Sequence, residues 1–325
     1  MKFAVTASPH IRSGDNTRRI MLDVLIALIP TLIAGTVVFG LRALAVCAVS
    51  VVAAVAAEWL WRKITRQYGT VSDFSAAVTG LLLALTLPAS VPYWAAAVGA
   101  VFAVVVVKGF FGGLGQNIFN PALGARALLM LVIPSAMTRF AAPGTALPLT
   151  GEVDIVSSAT ALHHMQIPAL PEQSLLDMFL GNIGGCIGEV SALALLLGGA
   201  YLVARDVIKL RIPASYLATV ALLTAIFCKD QDPLQWMLYS LLGGGVLLGA
   251  IFMASDYATS PATPGGQVLY GVGCGVLTVV FRYTGLYPEG VTYAILLMNA
   301  ASWLLERFTP TRLFGAPQKK GGLRR

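Results

Sequence analysis

Apolar residues in this chain come in blocks long enough to cross a membrane. Runs with hardly a charge occupy about 21–40, 43–61, 76–90, 91–108, 119–138, 187–204, 213–228, 234–253, 267–283 and 290–306. A hydrocarbon layer ~30 Å thick takes ~20 helical residues. In lipid every backbone amide must be bonded inside the protein, so such blocks predict helices. The pattern predicts an all-α polytopic integral membrane protein with about ten transmembrane helices. The third run is short and ends in "LPASVP", which suits a half-helix or re-entrant piece as well as a full span. The blocks divide the chain into a polar N-terminal segment (1–20), a first helix bundle (21–138), a loop (139–186), a second bundle (187–306) and a basic tail (307–325). Two short likenesses leave open a pair of five-helix repeats. "SDFSAA" from Ser72 matches "SDYATS" from Ser255, and an Asn-x-Ala core recurs at Asn120 and Asn299. Both Ser-Asp pairs fall on the same side in the span count, which simple inversion of one repeat would not give.

Composition agrees with the pattern. Of 325 residues 57% are hydrophobic and 11% charged, against ~25% charged in soluble domains. The net charge of +7 would raise nucleic-acid binding in a soluble protein. Here its distribution explains it, and no nucleic-acid partner is expected. With the N-terminus in the cytoplasm and ten crossings, 17 of the 22 Lys and Arg fall on inside segments, among them Arg18, Arg19, Arg62, Lys63, Lys108, Arg205 and the tail. Four fall outside (Arg42, Arg139, Lys229, Arg282), and Arg126 lies within a span. That asymmetry is the positive-inside pattern, and it puts both termini in the cytoplasm. The first apolar run is too long for a signal-peptide core and reads as an uncleaved first span. The 139–186 loop then faces outward.

Few residues in these runs could carry chemistry. Asp23, Glu58 and Glu189 are acids within or beside spans. Asp23 and Glu189 are candidates for an ion path, whereas Glu58 stands four residues before Arg62 and suits a helix-end ion pair. Arg126 would sit inside the bilayer, either snorkelling to the edge or facing an electron-rich ligand. It follows the glycine-rich "GFFGGLGQNIFNPALGAR", in which Asn117 and Asn120 could bond freed peptide groups and Pro121 suits a first helical turn. Gly181, Gly184, Gly185 and Gly188 fall at i, i+3, i+4 and i+7 and would form one bare stripe on a helix. Such a stripe serves close helix packing or a flat ligand. The four cysteines (Cys47, Cys186, Cys228, Cys274) form no C-x-x-C pair, so no metal site is expected. His10, His163 and His164 are placed wrongly for bis-histidine haem. The longest charge-bearing gap holds "VDIVSSATALHHM" (153–165), on its own a hydroxyl-rich solvated loop.

Asp154-Ile-Val-Ser157-Ser158-Ala159-Thr160 resembles the D-x-x-S-G-A-T flavinylation motif, with Ser158 where Gly is commoner. "SPHIRSGDNTRRIM" (8–21), "GGLGQNIFNPALGARA" (112–127), "GNIGGCIGEVSALALLLGGAYL" (181–202) and "MASDYATSPATPGGQVLYGVGCG" (253–275) agree with one family and keep its order along the chain. The sequence is similar to the D-type subunits of the Rnf ion-translocating ferredoxin:NAD oxidoreductases, whose paralogues are the B-type subunits of the sodium-pumping NADH:quinone oxidoreductases. The resemblance implies an electron-carrying component of a redox-driven Na+ or H+ pump in the bacterial cytoplasmic (inner) membrane, working with subunits of the A, B, C, E and G types. It implies FMN joined through its phosphate to Thr160 on the external (periplasmic) side by a separate flavin transferase. The remaining motif residues Asp154, Ser157, Ser158 and Ala159 would serve that attachment. A second, non-covalent flavin, riboflavin, is implied most clearly for the paralogue. On this reading Asn120, Arg126 and the four glycines become candidate flavin contacts. A solute transporter or channel of the inverted-repeat type, without redox cofactor, is the alternative that the residues leave open; a purely structural role in such a complex is a third.

Overall fold

The computed structural model describes residues 16–66, 71–145, 147–149, 171, 173–229, 232–285 and 290–310, and these residues form helices joined by turns with no strand. In chain order they are α1 (Thr17–Phe39), α2 (Leu41–Thr65), α3 (Ser75–Leu85), α4 (Tyr93–Phe102, continued in wider π turns over Ala103–Gly109), α5 (Pro121–Val132), α6 (Pro134–Met137), α7 (Leu175–Leu180), α8 (Ala192–Ala204), α9 (Arg211–Ile226), α10 (Pro233–Leu242), α11 (Val246–Leu248, continued over Gly249–Met253), α12 (Pro264–Thr284) and α13 (Val291–Phe308). Local chemistry sets many starts. The side chains of Asn16, Asn120, Ser191, Asp232 and Thr263 accept backbone N–H bonds in the first turns of α1, α5, α8, α10 and α12. Proline opens α5, α10 and α12, where its missing N–H costs nothing.

Each of the ten apolar runs carries a helix, but the helices are not ten equal spans. α1, α2 and α12 are each long and apolar enough to cross a membrane. α10 and α11 pass together as one span bent by 62°. The apolar helices α3, α4 with its extension, α5, α8 and α9 hold 10–17 residues. The shortness has a cause in the sequence. Pro88 and Pro92 stop α3 from running into α4, and Gly243-Gly244-Gly245, with φ of 64° and 68° at the last two, breaks α10 from α11. The irregular 86–92 segment is buried in protein: Leu87 and Val91 are fully covered. Such cover is what non-helical backbone at membrane depth requires.

α2 packs on α3 and α4, α9 on α10 and α12, and the two halves meet where α1 lies on α8 and α5 on α13. One end of the bundle gathers the starts of α1 and α3, the end of α2 and the end of α8, where Arg205 reaches Asp23. α10 starts from the other end, because α9 runs the length of the bundle first. The short helices α3 and α10 therefore enter from opposite ends, and both stop inside. Eleven residues of α3 reach ~16 Å, about half of a bilayer core. That arrangement is the inverted one. Asp73 and Asp256 do not follow it, since both lie at the same end, close to Tyr257.

Candidate functional site

The motif residues Asp154, Ser157, Ser158, Ala159 and Thr160, with His163 and His164, lie outside the described residues. Their flanks are described, and both are fastened. The Arg42 guanidinium, 3% exposed, donates to Pro148 O (2.7 Å) and Ala89 O (3.1 Å) and stacks over the Tyr93 ring at 5.0 Å. The Tyr93 hydroxyl donates to Leu149 O (2.8 Å). On the returning side, Tyr239 of α10 donates to Gln173 O (2.9 Å). The upstream flank thus hangs on α2 and α4 and the downstream flank on α10. Pro148 and Leu149 stand at the start of α2, the end of the bundle away from Glu58 and Lys108.

The glycine stripe is not helical. Gly181 takes φ 122° and ends α7, and the chain then runs through turns until α8 starts at Ala192. Gly181, Gly184, Gly185 and Gly188 therefore share no helix face, and the sixth span begins later than its apolar run. The physical reason is close approach of two backbones. Ile187 N–H donates to Leu87 O (3.0 Å) and Gly188 N–H to Leu85 O (2.7 Å), so this strip satisfies carbonyls freed where α3 stops. A Cβ on Gly188 would sit 2.7 Å from Leu85 Cβ.

Arg126 completes the same junction. Its Nη1 donates to Thr86 O (2.6 Å), Nη2 lies 3.6 Å from Cys186 Sγ, and Glu189 Oε1 is 3.8 Å from Nη1. The guanidinium does not snorkel: it is 4% exposed, and Glu189 beside it is 9% exposed. Glu189 in turn packs on Gly245 at the break of α10. There Arg282 of α12 donates to Ser240 O (2.6 Å), Gly243 O (2.8 Å) and Gly244 O (3.3 Å). The structure thus brings Arg126 and Glu189 together. Asp23 is elsewhere, accepting from the Tyr201 hydroxyl (2.8 Å) and Arg205 (3.3 Å). Arg42 and Arg282, counted as loop cations from sequence, are buried carbonyl donors. A single Arg at the edge of a long apolar run was the available signal.

At the other end Glu58 pairs with Arg62, as its spacing predicts, and also with Lys108 Nζ (3.0 Å), which reaches Ser75 Oγ (2.6 Å). Lys108 is 2% exposed and belongs to the interior, not to a loop. Two adjoining cavities share it. A polar one of about 340 Å³ is lined by Glu58, Arg62, Asp73 and the backbone of Gly109, Gly112 and Gly113. Beside it an apolar cleft runs between Val24, Val78, Leu82, Ile251 and Phe252, edged by Ser75, Asn117, Asn120, Asp256 and Tyr257. Asn117 Oδ1 is buried there without a hydrogen-bond partner. Asn120 caps α5 through Oδ1 and donates Nδ2 to Met253 O (3.3 Å). Its N–H is 3.0 Å from the Asn299 side-chain oxygen, in the amide orientation that also lets Asn299 donate to Ile295 O and the Tyr270 hydroxyl. The two Asn-x-Ala segments thus touch across the halves. Burial raises the Asp256 carboxyl above its ordinary range. Among the described residues no group of three metal-ligating side chains occurs.

Residues 4–315 match the model of the NQR2, RnfD, RnfE family. The chain belongs to this family. Within it, the sequence is 47% identical over 322 residues, covering 98% of both chains, to the D subunit of the Na(+)-translocating ferredoxin:NAD(+) oxidoreductase complex of Acetobacterium woodii. It is 39% identical, over 96% of both chains, to the D subunit of the proton-translocating ferredoxin:NAD(+) oxidoreductase complex of Clostridium ljungdahlii. It is also 39% identical to the D subunit of the ion-translocating oxidoreductase complex of Stutzerimonas stutzeri, over 91% of this chain and 92% of the relative. The resemblance to the Rnf D subunits that the motifs carried is borne out along the chain.

Proposed function

We propose that this NQR2, RnfD, RnfE family member is the D-type membrane component of an Rnf-type pump, carrying electrons between ferredoxin and NAD through covalently bound FMN while Na+ or H+ crosses the membrane. The observation that carries the reading is the D-x-x-S-x-A-T segment ending at Thr160, in a chain similar end to end to proteins named as D subunits of such complexes. The flavin supplies reversible one- and two-electron chemistry. The chain supplies an acceptor hydroxyl: in a reaction run by a separate transferase with a flavin dinucleotide as donor, Thr160 Oγ bonds to the flavin-side phosphorus, the pyrophosphate P–O bond breaks, and the nucleoside monophosphate leaves with the hydroxyl proton. The residual phosphodiester charge favours a wet boundary, and the positive-inside count puts Thr160 on the external face. Arg42, Tyr93 and Tyr239 hold the flanks of the segment, which limits how far a tethered ring could travel. The proposed setting is the bacterial cytoplasmic membrane, with ten crossings, both termini inside, and partner subunits of the A, B, C, E and G types.

The adjoining cavities at the Lys108 end suit a second, non-covalent flavin such as riboflavin. The apolar cleft, about 80 Å³, would have to widen to take the flat ring, the neighbouring polar space suits a polyol, and the orphaned Asn117 Oδ1 can accept from a ring or hydroxyl donor. Asn117, Asn120, Ser75 and Lys108 would hold it. The broken helices α3 and α10 favour one rival, a solute transporter without redox cofactor. Denaturing electrophoresis of the native complex separates the two. The pump reading expects yellow-green fluorescence that stays with this polypeptide and vanishes in Thr160→Ala while the complex still assembles. Solute uptake by a chain without bound flavin would support the rival.

A further inference from the structure

The centre of the bundle holds two unlike features in contact: helix ends that attract cations, and arginines that are cations. The carbonyl end of a helix carries about half a negative charge, and broken helices in transporters use such ends to coordinate Na+ or H+. α3 and α10 each present one inside the bundle, from opposite directions. Each is filled by a guanidinium from a later helix of its own half. Arg126 of α5 takes Thr86 O, while Arg282 of α12 takes Ser240 O, Gly243 O and Gly244 O. The two positions are linked, since Glu189 meets Arg126 on one side and packs on Gly245 on the other. An arginine keeps its proton at any working pH, has five donors and no acceptor, and is covalently held.

We propose that Arg126 and Arg282 act as tethered cations that occupy both carbonyl ends and so close the middle of this chain to free Na+ and H+. The inference rests on reading the chain as a membrane component of an ion pump, in which an open path here would dissipate the gradient that electron transfer builds. A fixed guanidinium is a known physical means of excluding cations and protons from a pore. On this account Glu189 is the counter-ion that keeps Arg126 in place, and the coupled ion takes another route.

The test is passive flux. The whole complex, in phospholipid vesicles without electron donor, is given an imposed Na+ or pH gradient, and its decay is followed with a sodium- or pH-sensitive dye. Arg126→Gln and Arg282→Gln, each in complexes that co-purify with the partner subunits, are expected to speed the decay at least ~tenfold, with Arg126→Lys close to the unaltered complex. Assembled Gln variants as tight as the unaltered complex would overturn the proposal. Should Arg126→Gln fail to assemble, the double variant Arg126→Gln/Glu189→Gln removes both charges of the pair. It too is expected to leak, and a tight double variant overturns the proposal. Flavin fluorescence on the same samples keeps the two readings apart: leak in Arg126→Gln with no flavin on the unaltered chain would sink the redox assignment and leave the plug standing.

Discussion

Lys108 shows how one residue changes meaning between sequence and structure. Counted by charge it is an inside-loop cation. In the fold it bonds Glu58 and Ser75, with almost no exposure, between the two cavities. Removing one partner of a buried pair costs ~3–5 kcal/mol where the other is left bare; Glu58 would keep Arg62, so the loss here should fall below that range. Lys108→Met should therefore lower the thermal midpoint of the purified complex, whereas Lys63→Met, on the exposed face of the same region, should not. Asp256 offers a pH-dependent case. Burial raises its carboxyl in the folded state, so ionising it there is unfavourable. Its stabilising share is full below the ordinary carboxylate range and is lost as pH rises through the raised value. Asp256→Asn should then match the unaltered protein at acid pH and exceed it in thermal midpoint at pH above neutrality. A variant less stable at all pH values would show that the bonds from Ala258 and Thr259 outweigh the burial.

At the scale of elements, apolar runs were legible, and of their interruptions the one at "LPASVP", where α3 stops, was legible too, whereas the glycine break between α10 and α11 was not. Runs of crossing length located every helix of the described residues longer than six residues, because burial in lipid asks for little beyond length and composition; the short α7 fell in the segment read as a loop. Asn120, bonding free peptide groups just before Pro121, was also read directly. The strip around Gly181–Gly188 misled, since i, i+3, i+4, i+7 spacing fits a helix face and the real cause of the glycines is tertiary. Gly188 lets its backbone lie against Leu85, and Gly181 takes a positive φ to end α7, neither of which a local pattern encodes. Gly188→Val should push these two stretches of backbone apart. Overpacking of this kind costs ~1–3 kcal/mol or more, and it should show as reduced accumulation of assembled complex, with Gly184→Ala nearly silent by comparison.

For the whole molecule, the two halves came through in the sequence only as an Asn-x-Ala echo, yet Asn120 and Asn299 meet at the junction of α5 and α13. The Ser-Asp echo was real in chemistry, each Asp bonding a nearby N–H and hydroxyl, but both lie at one end. What inverts is the entry of α3 and α10; the short third run hinted at the first, but the stop of α10 inside an unbroken apolar run could not be seen in a hydropathy pattern. Asn299→Leu should loosen the halves, read as a lower thermal midpoint and loss of any flavin held beside Asn120. Membership in the NQR2, RnfD, RnfE family explains why so greasy a bundle spends its polar residues on two charged junctions and one hydroxyl-rich loop. On the proposed reading the loop decides the function. Peptide mass mapping of the chain from its native membrane, over the fragment holding Asp154 to His164, tests that most directly. The account predicts a fragment heavier by FMN less one water, with the adduct on Thr160. An unmodified fragment, or the same adduct on another residue, would contradict it.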